Sequence, residues 1–404
     1  TGDMPTSEAP WKGLLQNTYD TSQDYVQYIV IDDGITSIAN NAFIDDNTIK
    51  GIVIGNTVTK IGSNAFNCTA TTTLVNGGAA NQQLGSGAFS NLKSTCQVQY
   101  TKANTNFYNA IKGTTNNLKT LNEKGYITVS SAQEWYDKIM SQVPYNATPV
   151  IGRFQITNDF VFRGTVKIKE TNSDSRDKEN YGKVTMTSVT MDYVPYMISK
   201  SNGNKIVSAG GSAVNLIGKL DGNGHKISGV TSGLFAKNYG IIENLNIVGK
   251  KSSTNMWQFT ARYQGTDGDC GGIQNTTNAM APVAHINNGI IKGVDVSGNF
   301  YVSKDDVRVP YIWYLSGDYE GGGISGINNG LISKCHVEAT LQGEKIGGIA
   351  YENNQLIYGC SVEGTLNGWC DNQNNEEKYS SRGTRSYPLD LNSELGGISF
   401  TNSG

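Results

Sequence analysis

The sequence predicts an all-β-dominated repeat protein in which two different solenoids follow each other along the chain. Glycine accounts for 48 of the 404 residues, and only 17% of the residues are charged. Short runs of Ile and Val alternate with segments rich in Asn, Thr and Ser, which is typical of many strands joined by tight turns. Two sequence patterns recur along the chain, and such recurrence indicates coils that stack on one another.

The first pattern is an Ala-Phe pair that recurs with a period of 23 residues. The pairs are Ala42-Phe43, Ala65-Phe66 and Ala88-Phe89. A period of this length falls in the range in which each coil contributes one strand and one turn. The pattern resembles the BspA-like leucine-rich repeats of bacterial surface proteins over roughly residues 25 to 120, and residues 98–111 look like the segment that often closes such arrays. Residues 71–85 depart from the pattern, so we expect the third coil to be distorted or partial.

The second pattern combines a turn, usually Asn-Gly, with a short apolar run and a strand of alternating inward residues. It is clearest at residues 234–247, 286–296, 324–337 and 349–362. Because side chains alternate between the two faces of a strand, certain pairs are expected to point inward: Leu245/Ile247, Val294/Val296, Cys335/Val337 and Cys360/Val362. We expect the turn glycine to supply a positive φ.

This second pattern, with Leu220–Gly229 upstream, resembles the GLUG-type repeats found beside adhesin modules and in immunoglobulin A peptidases of Gram-positive bacteria. The resemblance covers about residues 126 to 404 and implies a pectin-lyase-like, right-handed parallel β-helix. Right-handedness also follows from the strong bias of parallel crossovers. We therefore expect an N-terminal extension (1–24), a short leucine-rich-repeat solenoid (25–125) and a right-handed parallel β-helix with long loop insertions (126–404).

A short helix is expected where the two solenoids meet. Ser131-Ala-Gln-Glu134 forms a capping box, in which the side chains of the first and last residues satisfy free backbone N–H groups. The helix is predicted near residues 132–142, with Trp135 and Ile139 on one face. We expect it to cover the first coil of the second solenoid.

Long insertions interrupt the coils of the second solenoid. Equivalent turn positions are Gly240, Gly289, Gly330, Gln355 and Gly404, so their spacings are 49, 41, 25 and 49 residues. The bare coil is therefore about 25 residues, and three intervals carry insertions that leave the coil near Lys250, Asn299 and Asn367. Because the last coil stops where its next strand should begin, we expect either that the natural protein continues beyond residue 404 or that the present sequence was trimmed there.

The insertions hold the candidate ligand-binding residues, because they concentrate aromatic side chains. These candidates are Trp257, Tyr263, Tyr311, Trp313, Tyr314 and Trp369. Exposed rings beside Asp, Asn and Arg offer flat apolar faces for stacking and polar groups for orientation, as a saccharide or protein partner requires. The alternative is that these rings pin long loops to the solenoid wall.

A second group of candidates comes from strand alternation and is the basis of an enzymatic alternative. If the inward assignments hold, four ionisable residues share one outer face: Asp295, His336, Glu338 and Glu363. Parallel strands lie about 4.8 Å apart, which is close enough for acid/base chemistry or a metal. Polysaccharide lyases and hydrolases with β-helix folds use such faces, but solvated strands also carry such residues routinely, so we favour an ordinary solvated face.

The remaining observations exclude several classes of partner. A net charge of -3 without a dense Lys/Arg stripe argues against nucleic acid. No apolar stretch approaches the roughly 20 residues that span a bilayer, so we expect no membrane insertion in this segment. The sequence shows no zinc or calcium-loop motif, and we predict no metal and no cofactor. Cys335 and Cys360 should stack in the core, as free thiols or as a strained disulfide.

The sequence thus favours a secreted or cell-surface protein without enzymatic activity. We expect it to bind a glycan, or a host or bacterial protein, through the insertions. One alternative is a polysaccharide-acting enzyme on the outer face, and another is a spacer within a larger surface protein. Oligomeric state and the identity of the ligand stay open.

Overall fold

The computed structural model describes a set of segments that covers most of both repeat regions. These segments are residues 2–3, 26–43, 48–140, 149–171, 178–179, 183–192, 197–201, 204–208, 214–230, 233–249, 257–260, 281–303, 320–343, 345–368 and 394–402. No helix within them is both long and apolar enough to cross a membrane.

Strands dominate the described segments, in agreement with an all-β repeat protein. The strands before residue 130 are β1 (Gly2–Asp3), β2 (Tyr28–Ile31), β3 (Ile35–Ile38), β4 (Gly51–Ile54), β5 (Lys60–Ile61), β6 (Thr73–Asn76), β7 (Gln83–Leu84), β8 (Gln97–Thr101), β9 (Leu118–Leu121) and β10 (Ile127–Val129). The next strands are β11 (Val150–Ile156), β12 (Phe160–Val161), β13 (Arg163–Thr171), β14 (Val184–Asp192), β15 (Met197–Ser201), β16 (Asn204–Ser208), β17 (Asn215–Asp221), β18 (Lys226–Ser228), β19 (Phe235–Asn238), β20 (Ile241–Val248) and β21 (Trp257–Thr260). The last strands are β22 (Ala284–Asn287), β23 (Ile290–Ser303), β24 (Glu320–Gly322), β25 (Ser325–Asn328), β26 (Leu331–Ser333), β27 (His336–Gly343), β28 (Lys345–Gly347), β29 (Ala350–Asn353), β30 (Leu356–Tyr358), β31 (Ser361–Gly368), β32 (Glu394–Gly396) and β33 (Ser399–Asn402). The helices in these segments are α1 (Thr105–Ile111) and α2 (Ala132–Lys138).

The chain divides into two compact units. The first comprises Thr1–Val129, Ile151–Gln155 and Leu216–Asp221, and the second comprises Ser130–Val150, Ile156–Asn215 and Gly222–Gly404. The first unit thus includes two short segments, 151–155 and 216–221, that lie well beyond residue 125. The domain boundary at residue 125 stays a prediction.

Two parallel sheets run along the first unit. Strands β2, β4, β6, β8 and β9 form one sheet, and β1, β3, β5 and β7 form the other. The third coil is regular, because Thr73 pairs with Gly51 and Leu84 with Ile61. The expectation of a distorted third coil was therefore wrong. Its departure from the pattern is compensated by the buried Gln82, whose amide hydrogen-bonds to the side chain of Asn76 and to the carbonyl of Val58.

The Ala-Phe pattern forms an aromatic stack in the core of the first unit. Phe43 and Phe66 stack with ring centroids 5.3 Å apart, and Phe66 and Phe89 are also 5.3 Å apart. Phe107 of α1 meets Phe89 edge-on at 5.2 Å and ends the stack. Each such aromatic pair contributes about 0.5–1.5 kcal/mol beyond the area that it buries. The stack confirms that the Ala-Phe pairs mark equivalent positions of coils that pack on one another.

The segments that join the first unit from later in the chain cover one face of its larger sheet. Val53 and Val75 lie on this face and are fully buried. Leu121 completes this apolar cluster, and Ile127 and Ile151 pack against it. The side chains around Val53 and Val75 therefore come from the repeat coils and also from residues that follow them in the sequence.

A network of charged side chains links separate segments of the same unit. Asp33 accepts hydrogen bonds from Arg153 at 2.9 and 3.0 Å and from Lys219 at 2.7 Å. The Arg153 and Lys219 side chains are only 1% and 4% exposed, and the Arg153 guanidinium lies 4.5 Å from the ring centroid of Tyr126. Burial alone would raise the pKa of Asp33, but the two cations outweigh it and hold that pKa well below its usual range.

The strands of the second unit form columns in which successive coils pair in parallel. One column of parallel strands is β19, β22, β25, β29 and β33. Long strands form a second column, β20, β23, β27 and β31, and short strands form a third, β24, β28 and β32. Because the columns stay in register, equivalent residues of successive coils lie directly above one another. Two antiparallel pairs, β13 with β14 and β15 with β16, precede these coils and were not predicted.

The turn glycines serve a different purpose from the one expected. The positive φ angles belong to the next corner of the coil, at Asn244, Gly293, Lys334 and Gly359. Gly289 and Gly330 are required instead by close approach, since a Cβ on either would lie 2.1 Å from the carbonyl oxygen of the preceding coil's glycine. The expectation of a positive φ at the Asn-Gly turn was therefore wrong.

Helix α2 begins at the predicted capping box. The Ser131 hydroxyl accepts the backbone N–H of Glu134, whose carboxylate accepts the N–H of Ser130 at 2.7 Å. Trp135 on this helix is 1% exposed. Its ring lies within 6.4 Å of three phenylalanine rings of the second unit, Phe160, Phe162 and Phe235.

Candidate functional site

The outer face of the long strands brings the predicted acid/base residues into adjacent rungs. Asp295 of β23 pairs with His336 of β27, which pairs with Ser361 of β31. In the next outward row, Glu338 pairs with Glu363. Of these residues, His336 is half-buried and the others are exposed.

One direct contact joins members of this face. Nδ1 of His336 lies 2.7 Å from the hydroxyl oxygen of Ser361. No ion pair within the described segments joins Asp295 to His336, and no group of three or more His, Cys, Asp or Glu residues converges there as metal ligands do. The face therefore presents a surface His–Ser pair flanked by carboxylates. Ser361 was not among the candidates predicted from the sequence, although it follows His336 by one bare coil of 25 residues.

The aromatic candidates lie mostly beyond what the structure describes. Tyr263, Tyr311, Trp313, Tyr314 and Trp369 lie outside the described residues. Trp257 is the first residue of β21 and pairs with Phe300 of β23. The backbone at Trp257 thus belongs to a strand of the stack.

The described ends of two insertions lie at one corner of the coils. Residues 304–319 lie between β23 and β24, and residues 369–393 lie between β31 and β32. In the coil between them, residue 344 alone links β27 to β28. The strand before the first of these insertions ends at Ser303, four residues after the predicted Asn299. The strand before the second ends at Gly368, one residue after the predicted Asn367.

The strand register gives the distance between the points at which these two insertions begin. Tyr301, Gln342 and Asn367 pair in sequence across the long strands, as do Glu320, Lys345 and Glu394 across the short ones. Two strand spacings of about 4.8 Å separate the outer coils. Both insertions therefore leave and rejoin the stack about 10 Å apart, on either side of a coil that has none.

Comparison with known proteins identifies the first repeat. The family model of the BspA-type leucine-rich repeat region matches residues 16–134 in six copies. The match begins before residue 25, where the sequence pattern first became clear. The chain has no match among curated proteins or among solved structures.

Proposed function

We propose that this protein is secreted or held at a bacterial cell surface and binds a glycan or a protein there. The repeat match supports the location, because BspA-type repeats are typical of bacterial surface proteins. The observation that carries the binding function is the pair of insertions, 304–319 and 369–393, that begin about 10 Å apart at one corner of the stack. Loops on a rigid scaffold are the usual place for recognition.

The scaffold for these loops is, in this proposal, a right-handed parallel β-helix of GLUG-type repeats. Support comes from the three in-register columns of parallel strands in the second unit. Right-handed crossovers are the rule for parallel strands joined in this way. Such a scaffold would hold the insertions at fixed spacing, so that their side chains act as one surface.

The composition of the insertions suggests the chemistry of the partner. The two insertions contain Tyr311, Trp313, Tyr314 and Trp369. Tyr and Trp provide large contact areas with few rotatable bonds, and they stack on sugar rings or fill protein pockets. The net charge of -3 gives no electrostatic attraction for nucleic acid.

The test shortens one insertion while leaving the stack intact. Deleting residues 304–319, so that Ser303 joins Glu320 directly, copies the one-residue link at position 344, because Tyr301 pairs with Gln342 and Glu320 pairs with Lys345. Wild type and variant would be compared on a glycan array and in pull-downs with purified host extracellular proteins, with thermal melting as the measure of folding. We expect unchanged melting and at least a tenfold loss of binding.

A matched control separates the insertions from exposed aromatic residues in general. Tyr358 lies on β30, outside the insertions, and is 47% exposed. Tyr358→Ala should retain binding, whereas Trp313→Ala and Trp369→Ala should each weaken it. Equal binding by wild type and the shortened variant, or no binding by wild type to either set of ligands, would contradict the proposal. The enzymatic and spacer alternatives remain predictions.

A further inference from the structure

Cys335 and Cys360 occupy the same position in successive coils of the second unit. Cys335 immediately precedes His336, and Cys360 immediately precedes Ser361. His336 and Ser361 pair in parallel register. The backbone N–H of Cys335 donates to Sγ of Cys360 over 3.4 Å. In-register parallel strands lie about 4.8 Å apart, and disulfides join residues whose Cα atoms are about 4.4 to 6.8 Å apart.

The two thiols differ in access and in acidity. Both are free, and Cys335 is 1% exposed whereas Cys360 is only partly buried. The hydrogen bond between the two side chains lowers the pKa of Cys360, aided by the Cys335 N–H. The same bond, with burial, raises the pKa of Cys335. Because the thiolate is the nucleophile, Cys360 is the member that attacks first.

Other described cysteines lack this arrangement. Cys68 is fully buried, and its thiol donates to the carbonyl of Phe43 at 3.3 Å. Cys96 is also fully buried, and burial raises the pKa of its thiol to about 11. These two cysteines are structural, and they serve as internal references for reactivity.

We propose that Cys335 and Cys360 are a redox-reactive pair that reacts with small-molecule disulfides and closes to a disulfide between coils. The Cys360 thiolate attacks one sulfur of the small disulfide, forms a mixed disulfide and releases one small thiolate. The Cys335 thiol then attacks the Cys360 sulfur, which releases the second small thiolate, and the Cys335 proton passes to that leaving thiolate. The protein dithiol is oxidised by two electrons, and the small disulfide is reduced to two thiols.

The test uses the 404-residue chain with Cys370→Ser, because Cys370 shares a tryptic peptide with Cys360. Trypsin cuts after Lys334, Lys345 and Lys378, which places Cys335 in peptide 335–345 and Cys360 in peptide 346–378. Native protein is incubated with oxidised glutathione at pH 8, quenched with acid, alkylated and digested. We expect loss of both free thiols and the appearance of peptides 335–345 and 346–378 joined by a disulfide, while Cys68 and Cys96 stay reduced.

A matched variant checks the order of the steps. Cys335→Ser removes the second thiol, so Cys360 should accumulate as the mixed disulfide with glutathione. The proposal is overturned if, in the native protein, Cys360 stays free or ends as the mixed disulfide while Cys335 remains alkylatable. Oxidation of Cys68 or Cys96 at the same rate as Cys360 would also overturn it, since that would indicate reaction through unfolding.

Discussion

At the scale of single residues, Asp33 brings several polar contacts of the first unit together at one carboxylate. It accepts hydrogen bonds from Arg153, Lys219, Tyr126 and the backbone N–H of Asn56. Both cations are nearly inaccessible to water. If the carboxylate is lost, water therefore cannot take its place as their hydrogen-bond partner. Breaking a buried pair by neutralising one partner is costly because the other charge stays buried.

Asp33→Asn should therefore destabilise the protein by about 3 kcal/mol, although the side chain keeps its shape. Urea unfolding followed by circular dichroism measures the change. The matched control is Glu123→Gln, which neutralises an exposed carboxylate in the same unit and should shift stability by less than about 0.5 kcal/mol. Equal effects of the two substitutions would show that the Asp33 network contributes nothing specific.

The same carboxylate should make stability depend on pH in a defined direction. The pKa of Asp33 is lowered in the folded state, so its contribution is fully present above the unfolded value of about 3.9 and is lost as the pH falls below it. Wild type should lose more stability than Asp33→Asn between pH 6 and pH 2.5. Parallel pH profiles for the two proteins would refute this assignment.

At the scale of elements, the coils of the second unit are joined by a ladder of asparagines, all buried except the last, Asn402. Each amide donates to the amide oxygen of the next coil over 2.7 to 2.9 Å. The residues of this ladder are Asn238, Asn287, Asn328, Asn353 and Asn402. The oxygens of Asn238, Asn287 and Asn328 also accept the N–H of the turn glycine two residues later. The ladder satisfies polar groups that the stack would otherwise bury unpaired.

Asn328→Ala should remove about 2 to 3 kcal/mol of stability, because it leaves the Asn353 oxygen and the Gly330 N–H without these partners. The matched control is its neighbour Asn329, whose exposed side chain bonds to Asn288 and Asn354 on the outside of the same turn. Asn329→Ala should cost less than about 1 kcal/mol. Chemical unfolding compares them, and a larger loss for Asn329→Ala would contradict the ladder's role.

The sequence predicted the elements that depend on local spacing and missed those that depend on buried polar contacts. The Ala-Phe pairs identified the first repeat because Phe43, Phe66 and Phe89 must meet if coils of equal length stack. The Asn-Gly turns were recognised, but asparagine was taken as an ordinary turn residue. A polar residue in the core is evident only once its partners in neighbouring coils are known.

At the scale of the whole molecule, the first unit depends on segments that lie far along the chain. Arg153 and Lys219 follow Asp33 by 120 and 186 residues. Repeat periodicity carries no information about such contacts, because they join segments of different pattern. For this reason neither the cluster around Val53 nor the charged network was predicted from the sequence.

A chain that ends at residue 134, where the repeat match ends, should therefore form an unstable first unit. It lacks Ile151 against Val53 and Val75, and it leaves Asp33 without both cations. Cys68 and Cys96 report unfolding of this unit, since both are fully buried. Alkylation of these thiols under native conditions should be about a thousandfold faster in the short chain than in the 404-residue chain, which corresponds to about 4 kcal/mol. Equal alkylation rates would show instead that the matched repeats are a complete folding unit.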